Sequence, residues 1–84
     1  MRKLIRVTKK HIETGKRYNP RCCPVSLALR DAQLENPTPT VSQYILFRVQ
    51  NRFKCCPIPK QAESFIINFD ARREVKPFNF YITL

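Results

Sequence analysis

Residues 60–84 read KQAESFIINFDARREVKPFNFYITL, and the period of their apolar side chains changes partway along. Ala62, Phe65, Ile66 and Phe69 fall at the i, i+3, i+4, i+7 spacing that lines one face of a helix, so a helix is expected over about 60–71. Beyond Pro77 the period drops to two. Phe78, Phe80, Ile82 and Leu84 alternate with Asn79, Tyr81 and Thr83, the pattern of a half-buried strand. A helix and a strand that each carry a single apolar side must share a core, and the domain is therefore of mixed type.

Both signals recur upstream. Lys3-Leu4-Ile5-Arg6-Val7 alternates with β-branched residues and reads as a short strand. Thr8 stands where an N-cap would, Ile12 supplies one apolar anchor and Gly15 is placed as a stop, so Lys9 to Thr14 is expected to form a turn or two of helix. Pro24 suits a first helical position, having no amide hydrogen to lose. Val25, Ala28, Leu29 and Ala32 then make a helical stripe, widened by Leu27 and Leu34, which predicts a helix over about 24–35. Asn36-Pro37-Thr38-Pro39-Thr40 reads as a stiff linker, because two prolines restrict themselves and their predecessors. Val41 to Gln50 reads as a long strand with Ile45, Phe47 and Val49 on the core side and Tyr44, Leu46 and Arg48 on the other, followed by a loop from Asn51 to Pro59. The expected fold is a single α+β domain over residues 1–84. Two main helices and one short helix cover one face of a sheet of three strands, or four if Arg52 to Cys56 pairs. With one glycine in the chain, tight hairpin turns are expected to be scarce.

The chain has 84 residues, with sixteen Lys or Arg against six Asp or Glu, a net charge of +10. A domain this short buries only about 60–65% of the surface its unfolded chain exposes, so its stability is marginal without a staple or a partner. The charge is local. Residues 1–30 carry nine basic side chains against Glu13 alone, whereas residues 31–70 are balanced. Such a field draws polyanions, whether nucleic acid, an acidic protein surface or an anionic membrane. No apolar run approaches the roughly 20 residues of a membrane span, and the opening Met1-Arg2-Lys3-Leu4-Ile5-Arg6 lacks the apolar stretch of a secretory signal, so an intracellular location is expected.

Two segments repeat: Arg21-Cys22-Cys23-Pro24-Val25 and Lys54-Cys55-Cys56-Pro57-Ile58. Each sets a basic residue before a cysteine pair and a proline, and each precedes an expected helix. Cys22, Cys23, Cys55 and Cys56 could together ligate zinc, although adjacent cysteines aim their sulfurs apart and metal-binding pairs usually have two to four residues between them. A second reading is thiol chemistry, with a helix start and Arg21 lowering the pKa of Cys23. Disulfides between the pairs are a third, disfavoured inside cells. The simplest is that one cysteine of each pair packs as a small hydrophobe.

Catalysis has little to stand on. His11 could activate Cys22 or Cys23 if the fold brought them together, but no third residue is marked out to orient it. Asp31 and Glu35 read as a solvated helix face, and a glycine-rich phosphate loop is excluded by the single glycine. A non-enzymatic protein without a cofactor is expected. The uncovered face of the sheet would present Arg6, Tyr44, Arg48 and Tyr81, with Lys9 and Lys10 nearby. Tyr and Arg anchor protein interfaces, and they also stack bases and neutralise phosphates. A protein partner is expected first, nucleic acid second, and a homo-oligomer using the same face is a further form of the first.

The run Ile5-Arg6-Val7-Thr8-Lys9-Lys10-His11-Ile12, then Cys23-Pro24-Val25-Ser26-Leu27-Ala28, Phe65-Ile66 with Phe69-Asp70, and Pro77-Phe78-Asn79-Phe80 resembles a group of short uncharacterised proteins of bacteriophages and bacterial genomes. Their pattern is I-x-V-T-x-x-H-I, C-P-x-A-L-A, F-I-x-x-F-D and P-F-x-F. Many carry C-x-x-C-P before the main helix, where this chain has Pro20 in place of the first cysteine. The resemblance implies a phage or prophage origin and an accessory role exerted by binding a host or virion protein.

Overall fold

Thr8 starts the first helix by accepting a hydrogen bond from the His11 backbone on its side chain, while the His11 ring accepts the Thr8 amide hydrogen in return. This reciprocal cap fixes the boundary between strand β1 (Arg2–Val7) and helix α1 (Lys9–Thr14). The computed structural model describes residues 2–39 and 44–83. After α1 come α2 (Pro24–Asp31), β2 (Glu35–Pro39), β3 (Tyr44–Val49), β4 (Arg52–Pro57), α3 (Lys60–Asp70) and β5 (Phe78–Thr83).

The domain is α+β, with three helices and five strands among the described residues. The strands form two antiparallel sheets rather than one: β1 pairs with β5, and the second sheet has the order β2-β3-β4. The sheets share one core. Ile5, Val7, Phe80 and Ile82 from the first meet Ile45, Phe47 and Cys56 from the second over Val25, Ala28 and Leu29 of α2 and Ala62, Phe65, Ile66 and Phe69 of α3. The period-two and period-3.6 stripes therefore face inward as read from the sequence. Val41 and Gln43 of the expected strand over 41–50, and Leu84 of the last strand, lie outside the described residues.

Three further expectations are corrected. The proline-rich segment is not a linker, since Glu35–Pro39 pairs antiparallel with β3, matching Thr38 to Leu46 and Pro39 to Ile45. Proline is tolerated there because β2 is an edge strand, where a missing amide hydrogen breaks no ladder. The register shifts between Glu35 and Thr38, where Asn36 takes a left-handed φ of 48°. Secondly, the stretch after β3 is strand rather than loop, which bears out the alternative that Arg52 to Cys56 pairs. β4 pairs with β3 from Val49↔Arg52 to Tyr44↔Pro57 through a two-residue turn. That turn uses Gln50 and Asn51, both at positive φ (50° and 61°), so a tight hairpin forms without glycine.

Thirdly, α2 stops at Asp31 instead of reaching residue 35. Its end is a Schellman motif, in which the amide of Gln33 donates to the carbonyl of Arg30 and that of Leu34 to Leu29. Gln33 holds the left-handed position, at φ 70°, that glycine usually occupies. Helix α3 ends in the same way, with Arg72 at φ 61° and the amide of Arg73 donating to the carbonyl of Asn68.

Gly15 caps α1 with an extended φ of −70°, so conformational freedom is not what it supplies. A Cβ there would lie 2.6 Å from Pro24 Cδ and 2.8 Å from the Pro24 nitrogen, and only glycine lets the start of α2 approach this closely.

Candidate functional site

In β3 and β4 the antiparallel register sets residue against residue on the outer side of the three-stranded sheet. Leu46 lies opposite Cys55, Arg48 opposite Phe53 and Tyr44 opposite Pro57. The inner neighbours Ile45 and Phe47 are buried, so by the strand alternation these six side chains face away from the core. Phe53 is 85% exposed, Leu46 43% and Tyr44 40%. Arg48 lies over the Phe53 ring at 5.6 Å. Its Nη2 donates to Asn51 Oδ1 at 3.3 Å, while its Nε, buried and without a hydrogen bond, sits 4.0 Å from Glu35. The result is an aromatic and aliphatic surface with a cation along one side.

Tyr81 is not part of this surface. It lies in the two-stranded sheet opposite Leu4, 52% exposed, with the Arg2 guanidinium 4.2 Å from its ring centre. The grouping of Tyr44, Arg48 and Tyr81 on one sheet face is thereby corrected, because β5 pairs with β1 and not with β3. Arg6 is exposed on β1, opposite Asn79, and Lys9 and Lys10 are exposed on α1. The sequence-derived residues thus form two groups: Tyr44 with Arg48, and Arg6, Lys9 and Lys10 on the β1–α1 side with Tyr81. Phe53 was missed. Its signal was present in the alternation of Phe53 and Cys55 with Lys54 and Cys56, hidden by reading the segment as a loop.

The cysteines are free thiols, and the two Cys-Cys-Pro segments differ in structure. Cys23 is the N-cap of α2, whereas Cys55 and Cys56 lie within β4, so only the first segment opens a helix directly. In each pair the second cysteine is buried and the first is more accessible. Cys23 and Cys56 pack in the core, as the simplest reading required. Among the described residues no three of His, Cys, Asp or Glu come together as a metal-binding group. Burial pushes the Cys23 thiol above its usual range, against the smaller opposing effect of its contact with Ser26, 3.4 Å away. This reverses the lowering expected from the helix start, because desolvation of the thiolate outweighs the hydrogen bonds from Ser26 and the Val25 backbone. Cys56 is raised too, first by burial and then by Cys55 beside it.

His11 is buried and its ring nitrogens are bonded. Nδ1 accepts the Thr8 amide hydrogen at 2.9 Å, which leaves Nε2 to donate to Asp31 Oδ2 at 2.6 Å. Asp31 is therefore the residue that ties α1 to α2, and not merely part of a solvated face. A hollow of about 270 Å³ lies alongside, bordered by Leu4, Arg6, Thr8 and Ala28. A larger one, about 440 Å³, lies between α3 and the approach to β5 and is lined by Gln61, Phe65, Asn68, Val75 and Phe78. Among the described residues no helix is long and apolar enough to cross a membrane.

Comparison of the chain with protein-family models, with curated proteins and with solved structures finds no match.

Proposed function

We propose that this is a non-enzymatic binding protein of phage type, which docks a host or virion protein on the outer face of the β2-β3-β4 sheet. The observation that carries the reading is the exposure of Phe53 beside Leu46 and Tyr44 on one face. Single apolar residues at a surface are ordinary, but three large ones on one sheet face, Phe53 diagonal to Leu46 and Tyr44 two residues further along β3, with an arginine over one ring, have the composition of an interface centre. Such docking also complements a core that is small for independent stability. The test is affinity capture from infected and uninfected bacterial lysates with the wild type and with Phe53→Ser. Proteins recovered by the wild type and lost from the variant are the expected result; identical recoveries sink the assignment of this face.

A second reading, nucleic-acid binding, draws on the β1–α1 side, where Arg6, Lys9 and Lys10 accompany the Arg2–Tyr81 pair. A gel-shift titration at two salt concentrations separates the two. Phosphate contacts weaken steeply with salt, and absence of binding at the lower salt removes this alternative.

A further inference from the structure

The three-stranded sheet has two edges, and they are unlike. The β2 edge carries Pro37 and Pro39, which have no amide hydrogen to offer, and the bulge at Asn36 disturbs its line. The β4 edge is straight in register over its whole length and is exposed at every position except Cys56. In an antiparallel ladder closed by a two-residue turn, the pair flanking the turn is hydrogen-bonded and the pairs alternate thereafter. Arg52, Lys54 and Cys56 therefore direct their backbone groups at β3, and those of Phe53 and Cys55 point outward. Pro57 follows in the outward series, so its missing amide hydrogen falls on the open side and ends the row of donors there.

The side chains along this edge select a partner. Phe53 and Cys55 lie on the outer face, while Arg52 and Lys54 alternate with them and reach solvent. A second copy of the chain would bring Arg52 and Lys54 against their own kind on molecules that each carry +10. Directly opposed like charges destabilise a strand pair, and opposite charges stabilise it. The edge is therefore closed to itself and open to acid.

We propose that β4 accepts an extended acidic segment of another protein as an added strand. Acidic side chains of that segment stand against Arg52 and Lys54, and alternate apolar ones stand against Phe53 and Cys55. This rests on the proposed docking at the sheet face and names the chemistry of its occupant. The outward Phe53 and Cys55 amides supply main-chain hydrogen bonds, and the alternation of charge and apolar surface sets the register.

The probe is a short synthetic peptide alternating Glu and Val, added to the full chain and followed by residue-resolved amide hydrogen exchange. A control peptide carries Lys in place of Glu. The Glu peptide is expected to slow exchange at Phe53 and Cys55 by roughly tenfold or more and the Lys peptide to leave it unchanged. Cys55→Pro removes one outward donor without touching a bond to β3, and should abolish the protection. Arg52→Glu with Lys54→Glu, both at exposed positions, should transfer the preference to the Lys peptide. Equal protection by both peptides, or none by the Glu peptide, overturns the proposal. So does protection that rises with protein concentration alone, which makes a second copy the occupant. Protection by single-stranded DNA in place of peptide does the same for nucleic acid. If Phe53→Ser still abolishes capture from lysate while the Glu peptide fails, the docking face stands and only strand addition is lost.

Discussion

Cys23 lies at the start of α2, and its sulfur meets the Ser26 hydroxyl, which itself donates to the Pro20 carbonyl. Four thiols of similar sequence context consequently differ in reactivity. Under native conditions alkylation is expected to modify Cys55 fast and to spare Cys23 and Cys56 until denaturant is added; uniform labelling of all four, read by mass spectrometry, would contradict the burial of Cys23 and Cys56. The raised thiol pKa values also set a pH dependence. Both groups ionise more readily in the unfolded chain, so their contribution to stability is complete below the ordinary thiol value of about 8.5 and is lost as pH rises past it towards the raised folded values. Denaturation midpoints should hold steady up to about pH 8.5 and fall as pH rises beyond it, and Cys23→Ala with Cys56→Ala should flatten that fall. Gly15→Ala is expected to destabilise by about 1–3 kcal/mol, since the added methyl meets the Pro24 ring and backbone rather than a movable side-chain end. A midpoint equal to wild type would show that the start of α2 can move aside.

At the scale of elements, helix and strand identity follow from periodicity, but their ends do not. The stripe of α2 continues in sequence through Ala32, yet the helix stops at Asp31 because the chain turns into a Schellman motif on Gln33. No sequence signal announces that, since Gln is an ordinary helix former and glycine is the usual mark. The same holds for Gln50 at the hairpin and Arg72 beyond α3, whereas Asn51 is of a type that tolerates the left-handed region. Among the described residues six non-glycine positions at positive φ store strain that substitution can release. Gln33→Gly, and Asn51→Gly in the hairpin, are each expected to stabilise by about 0.5–1 kcal/mol, measured by chemical denaturation. A loss of stability in either would mean that the side chain contributes more than its backbone strain costs. Helix α1 persists at six residues, well under the length at which an isolated helix holds, through the Thr8 cap and the His11–Asp31 bond to α2.

The whole molecule contrasts an inner and an outer layer of the same strands. Phe47 is fully buried and Phe53 is almost free, although both lie in the β3–β4 hairpin. Phe47→Ala should cost about 3–5 kcal/mol, much of the stability of so small a domain, whereas Phe53→Ser should stay within about 0.5 kcal/mol of wild type. Comparable losses in thermal melts of the two variants would show that the outer face is covered in the free protein. The mixed class, the inward stripes of β3, α3 and β5 and the cap at Thr8 were legible in the chain because each depends on neighbours within a turn or a strand, and the concentration of charge in the first thirty residues follows from composition alone. Tertiary structure alone decided that β1 closes on β5, that a proline-rich segment serves as an edge strand, and that Tyr81 parts from Tyr44 and Arg48. It also decided that Asp31 meets His11 and that Phe53 is left outside. The physical reason is that strand pairing and side-chain burial join residues distant in the chain, and their free energy depends on which surfaces the rest of the core has already occupied.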